Sequence, residues 1–127
     1  MNNQLEIVKN VSVLIEEKKF NQAKIILLDF IDKNKNIKLD IKFYYTLYLV
    51  FHGLKEIQNS KKYLEKCLKI NQSNHIVLNN LGNIFFREGD TQKAEEYYLS
   101  SYKLKADYLI VIINLAILYQ NLGKLEK

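Results

Sequence analysis

Apolar residues recur along this chain at three- and four-residue steps, the spacing that lines one face of an α-helix. Leu64, Cys67 and Leu68 form one such set, Leu78, Leu81 and Phe85 another, and Ile112, Leu115 and Tyr119 a third. Read along its length, the pattern predicts seven helices, over about residues 3–17, 20–33, 39–52, 57–70, 75–87, 91–104 and 108–121. Short polar joints separate them: Lys18-Lys19, Asn34-Lys35-Asn36, Asn71-Gln72-Ser73-Asn74 and Glu88-Gly89-Asp90. Asp90 or Thr91 suits an N-cap, because a side-chain oxygen there can accept from an unpaired amide of the first turn. Gly89 suits the left-handed conformation that ends the preceding helix.

The sets also repeat. Leu47, Leu81 and Leu115 stand 34 residues apart, and Phe51, Phe85 and Tyr119 keep the same step. A fixed period of this length means stacked supersecondary units, each too small to bury its apolar face alone. The clearest unit runs Leu81-Gly82, Phe85, Gly89-Asp90, Ala94, Tyr98 and Ser101. Gly82 and Ala94 are small enough for two helices to cross closely, with Phe85 and Tyr98 filling the space on either side. In these residues the chain resembles the tetratricopeptide repeat family, whose pattern places a Leu-Gly pair, an aromatic, Gly-Asp, Ala, an aromatic and a small residue in that order.

The preceding unit supplies Tyr44, Leu47, Phe51, Ser60, Leu64, Cys67 and Ile70, with Tyr48 where glycine is usual. The first supplies Ile7, Leu14, Lys18-Lys19-Phe20, Ala23, Leu27 and Phe30. Its offset of 37 residues (23 to 60, 27 to 64) places three extra residues near Asn36 to Asp40. A fourth unit shows only a first helix, with Ile112, Leu115-Ala116, Tyr119 and Gly123. The family's closing proline is absent, and Lys35, Gln72 and Ala106 stand in its places. The resemblance covers about residues 4 to 123. It implies an all-α fold, a right-handed α-solenoid of antiparallel helix hairpins with about three units plus one extra helix. The whole chain, 1–127, reads as one such domain, with repeats at about 4–37, 41–74 and 75–108 and a partial one at 109–127.

The last helix departs from an amphipathic pattern. Ile110, Val111, Ile112, Ile113, Leu115, Ile117 and Leu118 make it apolar nearly all round, which calls for burial. Two arrangements would supply it: a longer protein of which this is a piece, or a homodimer packed through residues 108–122. The final residues, Gly123-Lys124-Leu125-Glu126-Lys127, fall where a partner helix would start.

Composition narrows the function classes. Of 127 residues, 48% are hydrophobic and 26% charged, as expected of a folded domain, and no apolar run approaches the roughly 20 residues of a membrane span. The N-terminus shows no signal-peptide pattern. Cys67 is the single cysteine, so no disulfide can form within the chain, and a reducing, cytoplasmic setting is expected. Net charge is +5, but of the 19 basic residues only Arg87 is arginine. Lysines mixed with glutamate and asparagine read as solvated helix faces. Nucleic-acid binding would call for clustered arginine with interleaved aromatics.

Catalysis finds little support in the sequence. His52 and His75 lie in different hairpins, and no phosphate loop, nucleophile elbow or metal-ligand spacing is present. Cys67 occupies a small-residue place and reads as a packed thiol, and His75 as a solvated or capping residue. Glu16-Glu17 and Glu95-Glu96 are sequential pairs, which diverge on a helix and face solvent. The expectation is a non-enzymatic protein with no catalytic residue, metal or cofactor.

The family resemblance implies a different kind of site. First helices of its hairpins line a concave surface that can hold an extended peptide, and asparagines two residues before the Leu-Gly glycine can grip the peptide backbone. Asn80 and Asn114 match that place, while Thr46 and Lys9 stand there in the earlier units. An amide both donates and accepts, so it can satisfy a peptide unit without reading sequence. Helical spacing adds Tyr45, Leu49 and His52, then Asn79, Asn83 and Arg87, then Ile117 and Asn121. The family's two-carboxylate clamp is not reproduced, since Tyr45, Ile110 and Ile113 stand in its positions. The expected function is a protein–protein interaction scaffold that binds a peptide segment of another protein in this groove. Two alternatives are an assembly unit joined through the last helix, and an accessory N-terminal part of a larger enzyme such as a transferase.

Overall fold

The computed structural model describes residues 3–123. Seven helices lie among them: α1 (Gln4–Glu16), α2 (Phe20–Lys33), α3 (Ile41–Gly53), α4 (Ile57–Ile70), α5 (His75–Arg87), α6 (Thr91–Leu104) and α7 (Leu109–Asn121). Each falls within two residues of its predicted bounds. The end of the fourth unit, residues 124–127, lies outside the described part. The chain divides into two compact units, Met1–Ile70 and Asn71–Lys127.

The joints inside hairpins share one design. After α1, α3 and α5 the chain closes with paired backbone bonds. Lys18 N donates to Ile15 O and Lys19 N to Leu14 O, Lys55 N to His52 O and Glu56 N to Phe51 O, Gly89 N to Phe86 O and Asp90 N to Phe85 O. This is the Schellman closure, which satisfies orphan carbonyls but needs one residue at positive φ. Gly89 holds φ 86° as expected and Gly123 φ 71°, but Lys18 (φ 59°) and Lys55 (φ 61°) take the same conformation without glycine's freedom. Asp90 caps α6 by accepting from Lys93 N at 3.1 Å. Asn74, rather than His75, caps α5, accepting from Ile76 N and Val77 N.

In the first unit, Val8, Val11, Ala23, Leu27, Phe43, Leu47, Val50, Leu64 and Cys67 are buried, and the Phe30 and Phe43 rings meet at 5.4 Å. The joint with three extra residues is tied down by Gln4. Its buried side chain donates to Lys38 O and accepts from Asp40 N, both at 2.9 Å. Tyr48, the residue standing for glycine, is buried. Its bulk is matched 16 residues on by Leu64, where the second unit pairs Gly82 with Tyr98. Each hairpin therefore carries one large and one smaller side chain at these two positions, in opposite order.

In the second unit, Phe85, Ala94, Tyr98, Val111, Leu115 and Leu118 form one cluster. Tyr98 does not sit beside the crossing. Its ring lies on Gly82 itself, so that a Cβ added there would come within 2.5 Å of it. The hydroxyl then donates to Asn83 Oδ1 at 2.6 Å. A further tie repeats between units. Ser101 Oγ donates to His75 O at 2.8 Å, and 34 positions earlier Cys67 Sγ lies 3.7 Å from Ile41 O. Burial pushes the Cys67 thiol up to about 11, as befits a packing group. Only one face of α7 is buried, through Val111, Leu115 and Leu118. The burial expected all round this helix is not met by the described residues.

Candidate functional site

The predicted site residues fall on the first helices of the hairpins. On α3, Tyr45 and Leu49 are half-buried and His52 is exposed. The ring of Tyr48 lies 5.3 Å from Tyr45 and 5.4 Å from His52, so the three make an aromatic strip along the helix. Thr46, at the asparagine place, is buried and donates its hydroxyl to Lys42 O at 2.8 Å. It offers a ligand no polar group comparable to an asparagine.

On α5 and α7 the structure brings two asparagines together, and they are not the equivalent pair. Asn114 Nδ2 donates to Oδ1 of Asn79, not of Asn80, at 2.9 Å. Asn79 is buried between the helices. Asn114 is half-buried and lies at the edge of the same zone. The bond uses one amide hydrogen of Asn114. Asn80 and Asn83 are half-buried, the latter holding the Tyr98 hydroxyl, and Arg87, Ile117 and Asn121 are exposed. Asn79 and Asn83 therefore both hold a neighbouring side chain within the fold.

Other side chains settle differently from their sequence reading. Glu95, expected in solvent, accepts from Tyr119 OH at 2.6 Å. That hydrogen bond, with burial and the nearby carboxylate charge behind it, pushes Tyr119 up to about 12. His75 sets its ring edge against Tyr108, with centroids 4.7 Å apart.

The charge is sorted by helix. α3, α5 and α7 contain no aspartate or glutamate, whereas Lys42, His52, His75 and Arg87 lie on α3 and α5. The acids of the other helices are Glu6 and Glu16 on α1, Asp29 and Asp32 on α2, Glu65 on α4, and Glu95 and Glu96 on α6. This signal was present in the sequence once helices were assigned. Among the described residues no group of three or more His, Cys, Asp or Glu could hold a metal, and no helix is long and apolar enough to cross a membrane.

Comparison with known proteins places this arrangement. The sequence profile of the tetratricopeptide repeat matches residues 41–74 and 76–108. A TPR repeat-containing protein of Methanocaldococcus jannaschii is 31% identical over 128 residues, covering 100% of this chain; the chain spans only 20% of that protein's length. Among solved structures, the C-terminal TPR-containing domain of an FK506-binding protein of Plasmodium falciparum is similar at a TM-score of 0.79, with 16% identity, over 98% of this chain and 91% of that one. MamA is similar at 0.81, with 20% identity, over 97% and 66%. PilF of Pseudomonas aeruginosa is similar at 0.77, with 19% identity, over 95% and 54%. These likenesses show the fold, an all-α helical repeat.

Proposed function

Because the chain belongs to the tetratricopeptide repeat family, a family of protein-interaction scaffolds, we propose that it binds a segment of another protein on first helices of its hairpins, α5 and α7 in the second unit and α3 as a separate surface in the first. The carrying observation is that α3, α5 and α7 hold no acidic side chain while presenting amide, aromatic and basic ones. Such a surface favours a segment that is apolar or acidic. A basic segment would find no counter-charge on these helices.

In this reading the second unit grips the backbone. The amide nitrogen of Asn114 donates to Asn79, and its carbonyl oxygen is the atom that accepts a peptide N–H. Asn80 contributes a second amide, Arg87 a cation near the end of α5, and Ile117 and Asn121 the α7 side. On the first unit, the strip of Tyr45, Leu49 and His52 is a separate contact surface suited to an apolar or aromatic side chain. The setting proposed is cytoplasmic, where the lone thiol of Cys67 has no disulfide partner to seek.

The test is selection from a random twelve-residue peptide library displayed on phage, followed by binding of synthetic winners to the parent and to Asn114→Ala with Arg87→Glu. Winners depleted in lysine and arginine, with affinity falling about tenfold or more in the double variant, are expected. Unchanged binding in the double variant, or winners rich in lysine, would overturn the reading.

A further inference from the structure

The outward face of α7 carries a second pattern, which the peptide reading uses only at Ile117. Leu109, Ile110, Ile113, Ala116 and Ile117 recur at three- and four-residue steps and fall within about 120° of one another around the helix. Val111, Leu115 and Leu118, the buried residues, lie on the opposite side. The large members of the outward stripe are well exposed: Leu109 64%, Ile110 53%, Ile113 49% and Ile117 44%. With Ile112 beside it, the face presents on the order of 500 Å² of apolar surface, at the upper end of what a monomer leaves in water and of a size that is often functional. A seam of this periodicity is how one helix packs along another.

We propose that this seam is covered by the α7 of a second copy of the chain, packed antiparallel about a two-fold axis at Ile113. The stripe is self-complementary about that residue. Leu109 meets Ile117 of the second copy, Ile110 meets the small Ala116, and Ile113 meets its own counterpart. Alternating large with small in this way lets two helices close on each other. A contact of a surface with itself is the isologous arrangement of closed dimers. Residues 109–123 include no charged side chain, so the pairing places no like charges together. Antiparallel packing also sets opposite helix dipoles side by side. Two such faces would remove about 1,000 Å² in all, the size at which specific interfaces begin. Ile117 belongs to this seam and to the proposed peptide surface, so dimer and ligand compete at α7.

The inference stands apart from the peptide reading, and its test needs no peptide. Sedimentation of the full chain across a concentration series is expected to show a reversible monomer–dimer equilibrium. Ile113→Lys sets two ammonium groups against each other on the axis and is expected to weaken association about 100-fold. The side chain is half exposed, so the fold should survive, and circular dichroism checks that it does. In a second arm, Ile113→Cys is expected to oxidise to a disulfide-linked dimer, while Ser100→Cys, exposed on α6, is not. The native Cys67 is buried and stays silent. A monomer at about 200 µM, a dimer untouched by Ile113→Lys, or equal cross-linking at the two cysteine positions would each overturn the proposal.

Discussion

Two lysines do work that glycine does elsewhere in the same chain. Lys18 and Lys55 hold φ near 60° with exposed side chains, while Gly89 takes the matching place a repeat later. A non-glycine residue in this region is strained, and glycine loses only part of that gain to its freer unfolded state. Lys55→Gly is therefore expected to raise stability by roughly 0.5–1 kcal/mol, as measured by denaturant melting; a loss would contradict the strain argument. The converse holds at Gly82, where the Tyr98 ring leaves no room for a methyl group. Gly82→Ala should cost about 1–3 kcal/mol through displacement of that ring. Tyrosine ionisation gives a third expectation at this scale. Burial pushes Tyr98 up to about 12 from an ordinary value of 10.0, and the Glu95 hydrogen bond does the same for Tyr119. A folded-state value raised above the unfolded one contributes stability that is whole below pH 10 and is lost as pH rises toward 12. Alkaline unfolding in that window, with Tyr119→Phe losing less over the same range than the parent, is the outcome to look for.

At the scale of elements, repetition makes chemistry comparable between hairpins. Ser101 and Cys67 occupy the same place, and each reaches back to the backbone carbonyl at the start of the preceding helix. Ser101→Cys should therefore be nearly neutral in thermal melting, whereas Ser101→Ala should cost about 1 kcal/mol by leaving the His75 carbonyl short of its donor. Helix positions were legible in the sequence because a 3.6-residue period, a capping aspartate and a terminal glycine all point to the same bounds. The lysine closures were not, since lysine carries no mark of positive φ and only the register from Lys18 to Lys55 to Gly89 exposes them. Nor was the Asn79–Asn114 bond. Which of two adjacent asparagines meets α7 depends on the rotation of α5 about its own axis, and periodicity resolves that to no better than a residue. Tyr119 and Glu95 were missed for the same reason, because their contact joins α6 and α7 across 24 positions of sequence.

For the whole molecule, the placing of charge carries the functional account: α3, α5 and α7 carry no acid, and on the helices the acids lie on α1, α2, α4 and α6. The measurement that tests this most directly is a nuclear magnetic resonance titration of the ¹⁵N-labelled protein with a library-selected peptide, following backbone and asparagine side-chain amides together. The account predicts shifts concentrated on α5 and α7, led by the amide groups of Asn80 and Asn114 and the backbone around Ile117, while Lys103 and Glu96 on α6 stay still. Shifts gathered on α6, with the Asn114 amide unmoved, would contradict it.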